Sequence, residues 1–456
     1  MGRKYNYDYI IIGSGPAGSA AALSLAKAKK RIALVEGRFF GGSHLNTRDV
    51  PYSAALNFSH NYYELSTHPA LSHQDFSFSF PSLVSHQLHT IINAGGNDTS
   101  EFESAGITCI RGYANFLDNN TIAVDDKQYT ANNFIIATGA HTNITGVNGT
   151  DRVNYLTPTT AIRIRRLPKA VMVIGGGSTG CEIAEYFAKL GTKVLITEMS
   201  SRLLPREDIE ASQTISDHLA NDLGVVVLPN CKVVALEQDN ASKRVIFQNN
   251  NTEKMVRVDC IVFATGSAPN LDMGLENANV KYTNAGIKID KYFCTSAKNI
   301  YAIGDCTCSD SSTTRANYEG RLLAANLIDK VKNAPNYKGL ARITNTSPAI
   351  ATIGLSEDDL LSRDRKYKKS IIYLSDTTAG KIANLNYGFV KLLANRSNHI
   401  IGGCIIAPNA DLMANEISLA IRNNLTALEI ASTPHVADNF SYAIQLAAKQ
   451  LATQKK

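Results

Sequence analysis

The feature that most constrains the fold of this chain is a glycine-rich pattern that occurs twice, far apart in the sequence. An apolar run of strand type leads into Gly-x-Gly-x-x-Gly at 13–18, and after a helical stretch a second apolar run ends at Glu36. The same order recurs at 175–180 and Glu198, with the first glycine and the acid 23 positions apart in both copies. A strand–helix–strand unit repeated in this form predicts an α/β fold with two Rossmann-like dinucleotide-binding domains.

The spacing within each copy, which we call a fingerprint, suits the chemistry of a dinucleotide. The first glycine permits a tight turn, the second lets the backbone approach a pyrophosphate, and the third lets the helix pack closely against the strand. The helix N-terminus offers free N–H groups and a partial positive charge to the phosphates. Glu36 and Glu198 stand where a carboxylate can accept hydrogen bonds from ribose hydroxyls.

The acid of the second fingerprint also bears on the choice of cofactor. A carboxylate at Glu198 repels a 2′-phosphate, which favours NAD over NADP at this site. Arg202 follows four residues later and leaves two interpretations open, either a partner for such a phosphate or a surface arginine at the start of the next loop. We favour the surface arginine.

Three further strand ends carry residues that suit a bound cofactor. Apolar runs end in Ala-Thr-Gly at 137–139 and again at 264–266, each downstream of its own fingerprint. A later apolar run ends in Gly304 and Asp305. The glycine allows a cofactor to approach the strand end, and the aspartate can bind a sugar-like hydroxyl.

Composition excludes several other classes of protein. The 456 residues are 44% hydrophobic and 19% charged, which is typical of a globular chain of about three or four domains. A net charge of +6 without a dense basic block argues against a nucleic-acid partner. No apolar stretch reaches the ~18 residues of a membrane span, and eight scattered cysteines are not the framework of a small secreted protein. We therefore expect a cytoplasmic, reduced setting.

Together these motifs resemble those of the class I pyridine nucleotide–disulfide oxidoreductases, such as dihydrolipoamide dehydrogenase, glutathione reductase and mercuric reductase. The resemblance covers nearly the whole chain, because 346–354, 388–392 and 400–408 are similar to stretches of the family's C-terminal α+β dimerisation domain. It implies FAD at the first fingerprint, a nicotinamide nucleotide at the second, a small-molecule electron acceptor and a homodimer. The implied domains are the first part of the FAD-binding domain at 1–148, the NAD-binding domain at 149–272, the return of the FAD-binding domain at 273–335, and the interface domain at 336–456.

The resemblance also assigns cofactor-binding residues. Those assigned to FAD are Gly13, Ser14, Gly15, Pro16, Ala17, Gly18, Glu36, Gly42, Ser43, Ala114, Thr138, Gly139, Asp305 and Thr313. Those assigned to the nicotinamide nucleotide are Gly175, Gly177, Ser178, Thr179, Gly180, Glu182, Glu198 and Gly266.

The redox motif departs from that of the family. The family has Gly-Gly-Thr-Cys-Leu-Asn-Val-Gly-Cys-Ile-Pro-Ser-Lys, whereas this chain has His44 and Asp49 at the two cysteine positions and Ser53 at the lysine. The flanking Gly-Gly, Leu-Asn and Pro fix the register. Imidazole and carboxylate cannot form a disulfide or carry its two electrons. Glu182 matches the family glutamate that pairs with the lysine, so we expect it to have lost its partner.

The C-terminus shows a matching loss. The resemblance implies a histidine base that a glutamate holds and that the partner subunit supplies, but Ala437 and Tyr442 stand at these two positions. His435 matches the preceding, less critical histidine of the family. Because that base serves thiols, its loss together with both cysteines is chemically coherent. The dimer is then no longer required for catalysis.

Two residue pairs leave alternatives open. Cys306 and Cys308 follow Asp305 and are either a relocated redox pair or two small residues in a loop. We favour the loop, because a Cys-x-Cys disulfide closes a small, strained ring. His44 and Asp49 offer two metal ligands, which are too few for a site, so no metal is expected.

Hydride transfer between two cofactors needs orientation and no disulfide. The first hypothesis is therefore an FAD-dependent NAD(P)H:acceptor oxidoreductase, quinone- or diaphorase-like, with His44, Asp49 and Glu182 as candidate catalytic residues. His44 donates a proton to the acceptor and Asp49 orients it, or else both residues merely fill the vacated site. The second hypothesis is a soluble transhydrogenase, which Glu198 disfavours. The third is an inactive, FAD-bound sensor or interaction subunit.

Overall fold

The computed structural model describes residues 5–71, 76–144, 146–250, 252–308 and 312–454. Its N-terminal segment alternates strands and helices, as the first fingerprint predicts. The strands are β1 (Tyr7–Ile12), β2 (Ile32–Glu36), β3 (Thr108–Arg111), β4 (Ala114–Asp118), β5 (Thr121–Val124), β6 (Lys127–Ile136) and β7 (Ala140–Thr142). The helices are α1 (Pro16–Lys27), α2 (Gly42–Asn46), α3 (Asp49–Thr67), α4 (Phe80–Asn93) and α5 (Ser100–Ser104).

The middle of the chain repeats this alternation and adds an antiparallel sheet. Its helices are α6 (Pro158–Ala161), α7 (Ser178–Lys189) and α8 (Ile209–Asp217), which continues into a π-helical turn at His218–Asp222. Its strands are β8 (Ala170–Ile174), β9 (Lys193–Thr197), β10 (Val226–Leu228), β11 (Cys231–Asp239), β12 (Ser242–Asn249), β13 (Thr252–Val258), β14 (Cys260–Phe263) and β15 (Ser267–Pro269). The chain then passes through β16 (Tyr282–Thr283), β17 (Gly286–Ile287), β18 (Ile300–Ala302) and α9 (Thr313–Asp329).

The C-terminal segment is a sheet covered by helices. Its strands are β19 (Ala341–Thr344), β20 (Ala349–Gly354), β21 (Lys368–Tyr373), β22 (Phe389–Ala394) and β23 (Ile400–Ala407). Its helices are α10 (Glu357–Ser362), α11 (Thr378–Ile382), α12 (Ala410–Arg422), α13 (Ala427–Ser432) and α14 (Tyr442–Thr453). The antiparallel order is β19-β20-β23-β22-β21, with α12 packed on β20 and β23 and α14 on β21 and β22.

Two separate sheets carry the two fingerprints. The first has the order β3-β2-β1-β6-β5-β4, and β18 joins it by pairing with β6. The second has the order β10-β9-β8-β14 and is parallel throughout. In each sheet the fingerprint strand, β1 or β8, is central and buried, so it is a nearly continuous apolar run. The predicted fold class is confirmed: an α/β protein with two Rossmann-like units and a C-terminal α+β domain.

The two Rossmann-like units are joined by a short antiparallel pair of strands. β7 pairs with β15, and each of these strands directly follows one of the Ala-Thr-Gly segments. The Thr138 hydroxyl donates to the Asn270 carbonyl oxygen at 2.9 Å across this junction. The two predicted cofactor sites therefore open next to one another.

None of the helices in the described part of the chain combines the length and the apolar character that crossing a membrane requires.

Candidate active site

The glycines of the first fingerprint have three different surroundings. Gly13 has φ +102°, and a Cβ there would lie 2.3 Å from the Ala137 carbonyl oxygen. A Cβ at Gly18 would lie 1.9 Å from the carbonyl oxygen of Gly13, because α1 packs directly on the turn. A Cβ at Gly15, by contrast, would meet no atom within 4 Å. The backbone at Gly15 thus faces open space of the kind that a pyrophosphate needs.

The second fingerprint reproduces this geometry. A Cβ at Gly175 would lie 2.5 Å from the Ala264 carbonyl oxygen, and one at Gly180 would lie 1.8 Å from that of Gly175. The middle glycine, Gly177, again faces open space with no atom within 4 Å. The repeat seen in the sequence is therefore a repeat of backbone geometry as well.

The two acids predicted to bind ribose are also placed alike. Glu36 accepts hydrogen bonds from the backbone N–H of Ser14 and of Arg38, both at 2.9 Å. Glu198 accepts from the backbone N–H of Gly176 and of Ser200, both at 2.8 Å. Each carboxylate thus braces its fingerprint turn and lies on the wall of the adjoining cavity.

A cavity of about 480 Å³ lies over the first fingerprint and falls in the size range of small-molecule sites. Twelve of the residues assigned to FAD line it: Gly13, Gly15, Pro16, Ala17, Glu36, Gly42, Ser43, Ala114, Thr138, Gly139, Asp305 and Thr313. Ser14 and Gly18 lie behind its wall, where Ser14 is buried and donates to Glu36. The donor set and the open cradle at Gly15 fit FAD.

A larger cleft of about 1,660 Å³ lies over the second fingerprint. The assigned residues that line it are Gly175, Gly177, Ser178, Thr179, Glu182, Glu198 and Gly266, while Gly180 packs against the turn. Arg202 points elsewhere, with its guanidinium donating to the Glu207 carbonyl oxygen at 3.0 Å and lying 3.2 Å from Asp358. It braces the loop that follows β9 and does not line the cleft, which agrees with the favoured interpretation as an arginine at the start of that loop.

The cavity and the cleft share a wall that includes Ser43, His44, Thr47, Arg48, Asp49 and Thr313, together with Arg38, Phe39, Tyr113, Ala140, His141, Asn270 and Ser312. There His44 Nδ1 lies 2.7 Å from Asp49 Oδ2, and Thr313 Oγ1 donates to the same carboxylate oxygen at 2.5 Å. Among the described residues none forms a hydrogen bond with the other ring nitrogen of His44, Nε2. The side chain of His44 is 31% exposed and lines both the cavity and the cleft.

Asp49 is held as a carboxylate. Burial raises its pKa, but hydrogen bonds from His44 and Thr313 and the charge of Arg48 outweigh burial and hold the pKa below its ordinary value. An ionised Asp49 accepts the Nδ1–H of His44, which fixes the tautomer of the ring. The two residues at the cysteine positions therefore form a carboxylate–imidazole pair.

Arg48 is a further residue of this wall, and our sequence reasoning missed it. Its guanidinium lies 3.8 Å from an oxygen of Asp49 and 3.9 Å from one of Asp305. The available signal was the family motif itself, which has glycine where this chain has Arg48.

The carboxylate of Glu182 has partners other than the lysine that Ser53 replaces. The Asn345 backbone N–H donates to it at 2.5 Å, and the Tyr52 hydroxyl, which donates to the Thr179 carbonyl oxygen at 3.4 Å, lies beside it. Burial raises the pKa of Glu182 to about 7, against the lowering effect of these hydrogen bonds. The lysine is indeed absent at Ser53, but neutral groups from α3 and from the loop between β19 and β20 take its place.

We expect Glu182 to make the stability of the protein depend on pH. Its pKa of about 7 in the folded chain exceeds the ordinary 4.5, so its stabilising contribution is complete below pH 4.5 and is lost as the pH rises to about 7. The difference between these two pKa values corresponds to a change in stability of roughly 3 kcal/mol at most. The melting temperature of Glu182→Gln should therefore rise relative to that of the wild type as the pH goes from 5 to 8. An exposed control, Glu101→Gln, should show no such gain, and a constant difference for Glu182→Gln would contradict the assignment.

The eight cysteines are all free thiols. Cys306 is fully buried, with Sγ 3.2 Å from the Ile303 carbonyl oxygen, and burial raises its pKa to about 12. Among the described residues no cysteine lines the smaller cavity, and Cys231 alone lines the cleft. Cys306 and Cys308 thus match the interpretation as small residues in a loop.

The C-terminal segment offers no replacement base from His435. Its Nε2 lies 2.7 Å from Glu416, and its Nδ1 lies 2.8 Å from the Thr433 carbonyl oxygen. Both ring nitrogens are engaged within the subunit, so His435 has none left for a substrate.

Two dinucleotide fingerprints with open cradles, opening onto cavities that share a wall, define a flavoprotein oxidoreductase that works with two cofactors. The chain belongs to the pyridine nucleotide-disulphide oxidoreductase family: residues 7–334 match the family model of that description, and residues 340–448 match the family's dimerisation domain. The family consists of FAD-dependent oxidoreductases that use pyridine nucleotides.

Several known proteins are similar to the chain over most of its length. A mercuric reductase of Bacillus cereus is 30% identical over 441 residues, which is 94% of this chain and 69% of the relative. A dihydrolipoyl dehydrogenase of Bacillus subtilis (strain 168) is 29% identical over 443 residues, 94% of this chain and 93% of the relative. LpdA from Mycobacterium tuberculosis has the same fold, with a TM-score of 0.88 at 24% identity, covering 97% of this chain and 99% of that one. So does the HOCl-induced flavoprotein disulfide reductase RclA from Escherichia coli, with a TM-score of 0.86 at 21% identity, covering 97% and 99%.

Proposed function

We propose that this protein is an FAD-dependent NADH:acceptor oxidoreductase that reduces a diffusible acceptor other than a disulfide. The observation that carries the proposal is the 2.7 Å contact between His44 and Asp49, at the two positions where the family motif has its redox cysteines. A pair of this kind moves protons and cannot store electrons, so the acceptor must take its electrons directly from the flavin.

FAD would be held by the cradle at Gly15, by Glu36, by Asp305 and by the Ala-Thr-Gly segment at 137–139, all on the wall of the smaller cavity. When bound, FAD supplies the two-electron chemistry, accepting hydride from NADH and passing two electrons to an acceptor. The residues of the chain orient the two molecules and manage protons. FAD and a pyridine nucleotide are expected for the family, and Glu198 supports NAD as that nucleotide because its carboxylate repels a 2′-phosphate.

His44 is the residue placed to deliver the proton. With a quinone as acceptor, NADH, one proton and the quinone give NAD⁺ and the hydroquinone. Asp49 holds Nδ1–H, so Nε2 of the protonated ring donates to the acceptor oxygen and then recovers a proton from solvent. Thr313 keeps the Asp49 carboxylate in place by donating to the same oxygen as His44.

The open space at Gly177 gives a test of the nucleotide site. In Gly177→Ala, whose extended backbone tolerates alanine, the new methyl group occupies the space proposed for the pyrophosphate of NADH. We expect the KM for NADH to rise at least about tenfold with FAD content unchanged. Gly15→Ala is the matched variant and should instead lose FAD. An unchanged KM in Gly177→Ala would contradict the assignment.

We also propose that the protein is a homodimer, as its dimerisation domain suggests. α12 exposes Leu412 and Leu419 on one face, at 66% and 62%, and Val436 nearby is 70% exposed. An apolar face of this kind is suited to burial against a second copy. Light scattering that reports a monomer would oppose the dimer.

Anaerobic mixing tests the proposed function. NADH should bleach the flavin absorbance, and a quinone or a dye should restore it, while NADP⁺ and lipoamide should not. Restoration by NADP⁺ would instead indicate a transhydrogenase, and restoration by lipoamide a disulfide reductase. Flavin that stays oxidised in the presence of NADH would indicate a sensor or interaction subunit.

A further inference from the structure

Arg48 brings a positive charge to the point where the two cavities meet. It lines both of them, and its side chain is 37% exposed. Its contacts with Asp49 and Asp305 are 3.8 and 3.9 Å long, beyond hydrogen-bond distance. Neither carboxylate therefore uses the donors of the guanidinium, which has five N–H groups.

The charges around this position explain why a cation is useful there. Asp49 introduces a carboxylate at a cysteine position, and Ser53 removes the cation that the family carries four residues further on. Asp305 adds a second carboxylate on the same cavity wall. Glu36 and Asp272 also line this cavity, and Arg38 is the other arginine among its described lining residues. Without Arg48, four carboxylates would remain on this wall with a single arginine, and reduction of a flavin adds a further negative charge.

We propose that Arg48 raises the reduction potential of the bound FAD, because its guanidinium stabilises the negative charge of the reduced form. The inference rests on the proposed function, since it requires FAD in the smaller cavity. In a partly water-excluded site a guanidinium near a developing charge acts more strongly than it would in bulk water. A raised potential draws hydride from NADH onto the flavin, in a chain that has no disulfide to draw electrons onward.

The experiment measures the flavin itself. The midpoint potential of the holoprotein and its affinity for sulfite, which adds to oxidised flavin and leaves a comparable negative charge, are compared at low ionic strength. The variants are Arg48→Met, which keeps much of the bulk, Arg48→Lys, which keeps the charge, and Arg165→Met as a control on an exposed arginine outside both cavities.

In Arg48→Met we expect at least a tenfold shift of the flavin redox equilibrium, about 30 mV for two electrons, towards lower potential. We expect sulfite to bind at least tenfold more weakly. Arg48→Lys should retain most of both properties, and Arg165→Met should match the wild type. An unchanged potential in Arg48→Met with FAD bound would overturn the inference and leave the proposed function standing.

Other outcomes separate the two claims. If Arg48→Met does not retain FAD, the potential of Arg48→Lys decides the question. A wild-type potential in Arg48→Lys supports a charge effect. A potential lowered by at least about 30 mV, although the positive charge is kept, overturns the inference. If the wild-type protein itself binds no FAD, or its flavin is not reduced by NADH, the proposed function fails and this inference fails with it.

Discussion

Replacing His44 with alanine is expected to slow the transfer of electrons to a quinone by about a hundredfold or more, the usual contribution of a positioned acid or base. The physical reason is that His44 Nε2 is the open end of the pair with Asp49. The rate of flavin bleaching by NADH should change little, because hydride transfer needs no proton from this residue. Stopped-flow absorbance measures the two half-reactions separately.

The controls for this prediction distinguish chemistry from packing. His86→Ala removes an exposed imidazole on α4 and should leave both rates at wild-type values. Asp49→Asn should lower the second rate less than His44→Ala does, because the ring remains but is oriented less well. Added imidazole should restore part of the lost rate in His44→Ala. If the flavin of His44→Ala is re-oxidised by quinone at the wild-type rate, His44 merely fills the vacated site.

Replacing Lys391 with methionine is expected to destabilise the protein by about 3–5 kcal/mol, the usual effect of removing one partner from a buried charge cluster. Lys391 is fully buried, and its ammonium group lies 2.9, 2.7 and 2.6 Å from Asp208, Glu210 and Glu357. The oxygens of these three acids lie within 4.8 Å of one another, so they repel one another once the ammonium is gone. Urea unfolding of the two proteins measures the difference.

A neighbouring lysine supplies the control for this second prediction. Lys369 also pairs with Glu357, at 3.0 Å, but it is 42% exposed. Lys369→Met should therefore lower the free energy of unfolding by about 1 kcal/mol or less. The cluster ties α8 to the C-terminal sheet, and the adjacent Glu207 lines the nucleotide cleft. Similar stabilities for the two variants would show that the buried cluster does not hold these elements together.

The parts of the fold that the sequence predicted are those that local geometry dictates. Gly13, Gly18, Gly175 and Gly180 are required where a turn, a helix and a strand meet within a few residues, and this spacing is visible in the sequence. The motif register around His44 likewise fixed which side chains replace the cysteines. The contact between His44 and Asp49 follows, since the two positions they occupy are those that a disulfide would join.

Other parts of the site depend on contacts between distant segments. The group that contacts Glu182 in place of the missing lysine was not predictable, because Asn345, 163 residues away, supplies its backbone N–H. The position of Tyr52 beside it depends on how α3 packs against α7. The charge cluster of Lys391 likewise gathers acids from two distant segments, and nothing in the spacing of these residues indicates that they meet.

An anaerobic titration with dithionite tests the central claim most directly, namely that the flavin is the only electron store in this protein. Each FAD should take up two electrons, and the flavin absorbance should fall from the first addition in proportion to the reductant. Alkylation of the accessible thiols beforehand should not alter this stoichiometry. Uptake of four electrons for each FAD, with the first two entering before the flavin bleaches, would reveal a redox-active disulfide and contradict the account.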